Sequence, residues 1–473
     1  MEARTHTFKA NARAALADDN LRTALASAKG GFVAKRAGAV EAFPDFEALR
    51  ERGAAIKDHT LANLDHYLAR FTANVSERGG QVHYAGDDAA AREIILGICR
   101  DAGARRVIKS KTMAGEEISL NEALEREHEL VETDLGEYII QLAKEPPSHI
   151  IAPAVHKTRA DITRLFDEHH HHRIDGPLRP APELVAEARQ VLRERFLEAD
   201  VDISGANFLI ADTGTVTLVT NEGNADLGTT LPRVHIVIAG IEKLVPGTEE
   251  ASTMLRLLGR SATGQDMSAY TTFLTGARRP DDPDGPDEYH VVLLDNGRTG
   301  MLGNEFRSML RCIRCGACMN HCPVYGAVGG HTYGWVYPGP MGQVLTPMFR
   351  GLDGTVDLPN ACTLNGRCGS VCPVKIPLPD LIRHLRDWQF DAHLGHRTTR
   401  WALHAWGWVA RRPRLYHPLA RIGTRVLRWI GGRRGGAARR MPLAGGWTDA
   451  RDLPLPSGTT FQAAWRAKRK EDA

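Results

Sequence analysis

The chain has 473 residues, 42% of them apolar and 25% charged, with a net charge of +3. This is the make-up of a soluble globular protein with room for a sizeable core and two to three domains. No run reaches the about 18 apolar residues of a membrane span, and the N-terminal "MEARTHTFKANARAALADDN" lacks the apolar stretch of a signal peptide, so a cytoplasmic location is expected.

Residues 1–70 read as a helical segment. "DDNLRTALASAKGGFVAKRAGAV" and "TLANLDHYLARFTANV" carry apolar residues at three- and four-residue spacing, and Asp18 or Asp19 is placed to cap the first. From 71 to 300, short β-branched runs alternate with helical patterns: "RRVIKS", "SHIIAP", "ANFLIA", "TVTLVT", "VHIVIAG" and "YHVVLLD". This alternation predicts an α/β layered domain with a largely parallel sheet. "VHIVIAG" is apolar throughout, as expected of a strand covered on both faces. A hairpin is predicted at Asp212-Thr213-Gly214. Cys99, alone on an apolar pattern, reads as a core residue. The four histidines 169–172 follow a helical pattern and read as its frayed end rather than a metal tract. "RRPDDPDGPDE" (278–288) reads as a surface loop near a boundary.

Seven of the eight cysteines stand between 312 and 372. Disulfides are rare in the cytoplasm, so these thiols call for another explanation. "CIRCGACMNHCP" has the C-x2-C-x2-C-x3-C-P spacing of bacterial ferredoxins, in which three thiolates grip one cluster and the fourth serves the other. The second run, Cys362, Asn365, Cys368 and Cys372-Pro373, keeps that spacing with asparagine at its second position. Crossing the fourth ligands gives cluster 1 from Cys312, Cys315, Cys318 and Cys372. Cluster 2 then takes Cys322, Cys362 and Cys368, with Asn365 at the corner without thiolate. A neutral amide is a poor iron ligand beside thiolates. Cluster 2 is therefore expected as 3Fe–4S, or as 4Fe–4S with a labile iron, unless another residue supplies the ligand. Zinc, with its usual paired Cys-x2-Cys, suits two Cys-Pro runs less well. Helical patterns flank the runs, so residues 301–395 are expected to form an α-helical two-cluster ferredoxin domain. His321, beside Cys322, is placed either to tune a cluster or to face solvent; His331 is placed to meet a partner or an electron acceptor.

Residues 396–473 form a basic, tryptophan-bearing C-terminal segment. From Leu381 onward there are 19 Lys and Arg against 6 Asp and Glu. Trp401, Trp406, Trp408 and Trp429 stand among arginines. This suits packing or subunit docking, with peripheral contact to an anionic membrane as the alternative. No nucleic-acid module is recognised, so that partner is disfavoured.

Several stretches, in order, resemble the lactate-utilisation protein B family. They are "VIKSKTMAGEEISLNEAL", "ETDLGEYIIQLAKEPPSHIIAPAVHK", "ISGANFLIADTGTVTLVTNEGN", "VHIVIAGIEKLVP", "RSATGQ" and "HVVLLDNGR", and the cysteine runs come after them. The family often has "LCGAC" where this chain has "LNGRC". The resemblance implies a LUD-type α/β domain related to sugar-phosphate isomerase and CoA-transferase folds. It also implies two clusters and work with two other subunits in oxidising L-lactate to pyruvate, with the electron acceptor unspecified. A cluster-based sensor, or an α/β enzyme acting on a sugar phosphate or acyl ester, are the alternative functions. Within the α/β domain, Thr213, Gly214, Asn221, Glu222, Gly223 and Asn224 lie at strand ends, where open sheets bind ligands. Lys109 and Lys111 are placed to add charge there. No G-x-G-x-x-G motif comes after a strand, so no nicotinamide fold is expected.

Overall fold

The computed structural model describes residues 4–110, 112–170, 179–432, 437–438, 441, 448 and 451–471. It divides into two compact units, Met1–Gln389 and Phe390–Ala473.

The first unit is built on a six-stranded sheet. Its strands are β1 (Gln81–Ala85), β2 (Arg106–Lys109), β3 (Glu129–Glu132), β4 (Val201–Ser204), β7 (Val234–Gly240) and β10 (Glu288–Leu294). They lie in the order β1-β10-β7-β4-β2-β3, all parallel. β7 is buried along its whole length. Its Val234, Ile236 and Ile238 join the helix Asp88–Asp101 on one face, where Cys99 is fully buried. Val237 and Ala239 point the other way, into a core with Phe71 and Val75. A strand with both faces covered is thus apolar without alternation. A smaller sheet runs β8-β5-β6-β9, from Leu244–Val245, Phe208–Ile210, Thr215–Thr220 and Tyr270–Leu274. Its β5–β6 pair is the hairpin expected around Asp212-Thr213-Gly214.

Two readings of the sequence are corrected. "SHIIAP" (148–153) is not a strand. The His149 ring accepts the N–H groups of Ile151 (3.0 Å) and Ala152 (3.2 Å), occupying donors that a ladder would need. Ile150 is instead buried in the core around the cysteines. His170 is not part of a frayed end. It is buried between the Tyr138 hydroxyl (2.8 Å) and Glu187 (2.7 Å), while His171 and His172 lie outside the described residues.

The N-terminal helices α1 (Phe8–Ala17), α2 (Asp19–Glu41), α3 (Phe46–Ala62) and α4 (Leu64–Glu77) are packed into the cores of this unit. Asp18 caps α2 through the Leu21 N–H at 2.9 Å. Phe8, Leu25, Phe46 and Leu49 share one core with Cys315, Cys318, Cys322, Cys368 and Cys372. In the second unit, helices Arg397–Ala410 and Pro413–Gly432 leave Trp401, Trp406, Trp408 and Trp429 exposed. Leu415, Leu419, Ile422, Val426 and Trp429 recur every three or four residues along the latter, and all are exposed. Among the described residues no helix is long and apolar enough to cross a membrane.

Candidate metal centres and the adjoining cavity

The two cysteine runs fold alike. Arg314 and Gly316 in the first have φ of 58° and 71°; Leu364 and Gly366, fifty positions on, have 53° and 81°. Each loop then enters a short helix, Ala317–Asn320 or Arg367–Val371. Left-handed backbone is unfavourable for a side-chain-bearing residue such as Arg314 or Leu364, so a shared requirement fixes it in both loops. In this register Asn365 occupies the place of Cys315. Its Oδ1 accepts the Arg367 N–H at 3.2 Å, and the Cys315 sulfur accepts that of Ala317. The asparagine thus keeps the loop's internal hydrogen bond while removing the thiol. Cys315 is buried and Asn365 is exposed.

All eight cysteines are free thiols. One small cavity is lined by Cys312, Cys315, Cys318 and Cys372 together with Ile313, Met341 and Val374. Cys372 reaches it from the second run. Burial raises the Cys315 and Cys318 thiols well above the usual range, and their neighbours in this set raise them further. Burial lifts Cys372 to about 11, with Cys312 adding to it. The remaining three form a second group. Burial, then Cys362 and Cys322, lifts Cys368 to about 12; burial and Cys362 raise Cys322. Backbone N–H groups point at these sulfurs: Tyr325 on Cys322 (3.5 Å), Leu364 on Cys362 (3.3 Å) and Ile376 on Cys372 (3.4 Å).

This donor set fits an iron–sulfur cluster. Several buried thiolates are untenable without positive charge among them, and metal ions supply it while deprotonating the thiols. Aimed N–H groups are the contacts that stabilise cluster sulfur. Cations gather around the four-thiol site: Arg36 donates to the Val371 carbonyl at 3.0 Å and Arg50 to that of Cys372 at 2.7 Å. Near the three-thiol site, Arg386 donates to the Cys362 carbonyl at 2.7 Å. His321 bonds the Ala317 carbonyl of its own helix (2.9 Å) and is half-buried. His331 is exposed and bonds the Pro146 carbonyl (2.8 Å).

The residues proposed for the α/β domain do not come together as one site. Thr213 and Gly214 lie in the β5–β6 turn, where Thr213 donates to the Thr215 hydroxyl and Gly214 packs against Asn74 and Val75 of α4. Asn221, Glu222, Gly223 and Asn224 lie at the opposite end of β6. Lys109 is fully buried and bound to Glu132 (2.8 Å) and Glu116 (3.1 Å), so its charge is already matched. Lys111 lies outside the described residues.

Asn221 and Glu222 do line a cavity of about 230 Å³ at the carboxyl ends of β2, β4 and β7. Sequence reasoning missed its charged wall. Glu117, fully buried, receives Arg298 on both oxygens (2.9 and 2.8 Å) and the Tyr337 hydroxyl (2.6 Å). Arg298 also meets Glu242 (2.6 Å), which meets Arg314 (3.3 Å) in the first cysteine loop. Burial alone would raise the Glu242 carboxyl, but Arg298 and Arg314 hold it down to about 2. Burial, with Arg314 beside it, lowers the Lys243 ammonium to about 8. The only sequence signal was that Glu117, Glu242, Lys243 and Arg298 fall inside the family-like stretches.

Comparison with known proteins agrees with this geometry. A 4Fe-4S dicluster domain matches residues 308–376, which hold seven of the eight cysteines, and a LUD domain matches 68–294. The C-terminal model of lactate utilisation protein B matches 391–470. Lactate utilization protein B of Oceanobacillus iheyensis is 43% identical over 96% of this chain and 94% of its own. The chain belongs to the lactate utilisation protein B family. The Bacillus licheniformis member is 41% identical over 100% of this chain and 98% of its own. The uncharacterized electron transport protein YkgF of Escherichia coli K12 is 40% identical over 98% and 97%. This family member therefore joins an α/β LUD domain to a 4Fe-4S dicluster domain.

Proposed function

We propose that this chain is the iron–sulfur electron-transfer subunit of a lactate-utilisation system that works with two other subunits to oxidise L-lactate to pyruvate. That oxidation releases two electrons and two protons, and two clusters would offer a place for one electron each. The proposed ligands are Cys312, Cys315, Cys318 and Cys372 for cluster 1 and Cys322, Cys362 and Cys368 for cluster 2. The observation that carries the reading is the crossing of the runs: the Cys372 thiol lies with the first three, and Cys322 with the second pair. A relative named as an electron transport protein supports the role. The corner at Asn365 faces the surface, which supports a labile iron or a 3Fe–4S cluster there. The exposed apolar and arginine-rich faces of residues 397–432 support docking on a partner subunit or on the inner face of a membrane.

Anaerobically purified protein should hold about 7 or 8 irons and absorb broadly near 400 nm. Tightly bound zinc without iron would overturn the reading. N365C should convert any 3Fe–4S electron paramagnetic resonance signal to a 4Fe–4S one, and an unchanged spectrum would refute the ligand assignment at that corner.

A further inference from the structure

Electron transfer through the clusters gives the cavity at the carboxyl edge of the parallel sheet no part to play. We propose that it binds a small organic monocarboxylate of the 2-hydroxy or 2-oxo acid class, held by Lys243 beside the Cys312 loop. The choice of acid rests on the lactate-utilisation reading; the site is argued from its walls.

Charge is the first argument. Glu117, Arg298, Glu242 and Arg314 neutralise one another in an unbroken chain. Lys57, fully buried, donates to the carbonyls of Glu242 and Leu244. Lys243 lines the cavity, and among the described residues its ammonium has neither hydrogen bond nor ion pair. Lys243 is half-buried, and an ammonium partly withdrawn from water gains from a counter-charge. A ligand carboxylate supplies that charge. One unmatched cation among the described residues calls for one negative charge. A phosphate ester is disfavoured on that ground.

Shape and chemistry agree. About 230 Å³ admits a small acid and not a nucleotide. Ser110 and Asn221 offer polar atoms for a hydroxyl or keto oxygen, and Ile150 and Leu258 offer apolar wall for an alkyl group. Position is the last argument. Arg314 lies between Cys312 and Cys315 in sequence, stacks over the Tyr337 ring at 4.8 Å and also lines the cavity. Lys243 itself lies within the electrostatic reach of Cys312. A bound acid is thus separated from the first cysteine loop by little more than one side chain.

The test is ligand-observed saturation-transfer NMR on the anaerobic, full-length protein, with L-lactate, pyruvate and inorganic phosphate as probes. Lactate and pyruvate should compete for one site with Kd at or below about 10 mM, and phosphate should displace neither. K243Q should weaken binding by about ten-fold or more. N221D keeps an acceptor for the N–H groups of Ala269 and Gln265 while adding a negative charge at the cavity, and should weaken it too. It decides the matter if K243Q fails to fold. No transfer with the wild type, unchanged affinity in the folded variants, or displacement by phosphate overturns the proposal. Iron content is measured on each sample. Missing clusters would sink the electron-transfer reading whatever lactate does, whereas absent lactate binding with clusters intact would sink only this one.

Discussion

Tyr333 offers a sharp test of how the second cluster is tuned. Its side chain is fully buried, edge-on to Phe8 at 5.3 Å. Its hydroxyl donates to the Cys322 sulfur and lies in the electrostatic field of Cys362. With a cluster bound, the Cys322 thiolate would be the charged acceptor of that hydroxyl. A hydrogen bond to a charged group contributes about 1.5–3 kcal/mol, and it strengthens when the acceptor gains an electron. If reduction adds roughly a third to a half of that, the donor favours the reduced cluster by about 0.5–1.5 kcal/mol. For one electron this is about 20–60 mV, at about 59 mV per factor of ten. Y333F should therefore lower the cluster 2 potential by that amount and leave cluster 1 unmoved as an internal control. Redox titration monitored by electron paramagnetic resonance reads both. An unshifted or raised cluster 2 potential would refute the reasoning.

Other perturbations address the frame around the clusters. R298M leaves the buried Glu117 without a cation and Glu242 with Arg314 alone, and should lower stability by about 3–5 kcal/mol in denaturant titration. G214A forces left-handed backbone at φ 63° and sets its Cβ 2.6 Å from the Val75 nitrogen. It should destabilise by about 2–4 kcal/mol in the same assay while leaving the visible spectrum of the clusters unchanged. Replacing Ile422 and Val426 by aspartate should abolish cosedimentation with anionic vesicles if the helix Pro413–Gly432 docks on membrane. Wild-type protein that stays in the supernatant at low salt would leave a partner subunit as its target.

How legible each element was in the sequence depends on its physics. β7 was readable because both its faces are covered, and the β5–β6 hairpin because a glycine occupies its left-handed turn position. β1, β3, β4 and β9 gave no comparable signal. Gln81–Ala85 and Glu129–Glu132 are short edge strands carrying polar residues, and Val201–Ser204 holds a fully buried aspartate, Asp202. Cysteine spacing singled out the seven thiols that the fold gathers into two groups, since cluster geometry restricts the gaps between ligands. Nothing local could reveal that Glu117 meets Arg298, because 181 residues separate them.

The two loops also separate what a cluster needs from what a cavity needs. Arg314 and Leu364 adopt the same unfavourable backbone, so that conformation belongs to the cysteine arrangement common to both. Their side chains have no such common purpose. Leu364 is exposed, whereas Arg314 turns inward to Glu242 and over Tyr337. A loop required only to hold iron has no use for a buried guanidinium tied to the end of β7. Arg314 therefore ties the cysteine segment to the α/β domain, and under the proposals above the difference between the two loops would mark the side on which ligand and cluster approach each other.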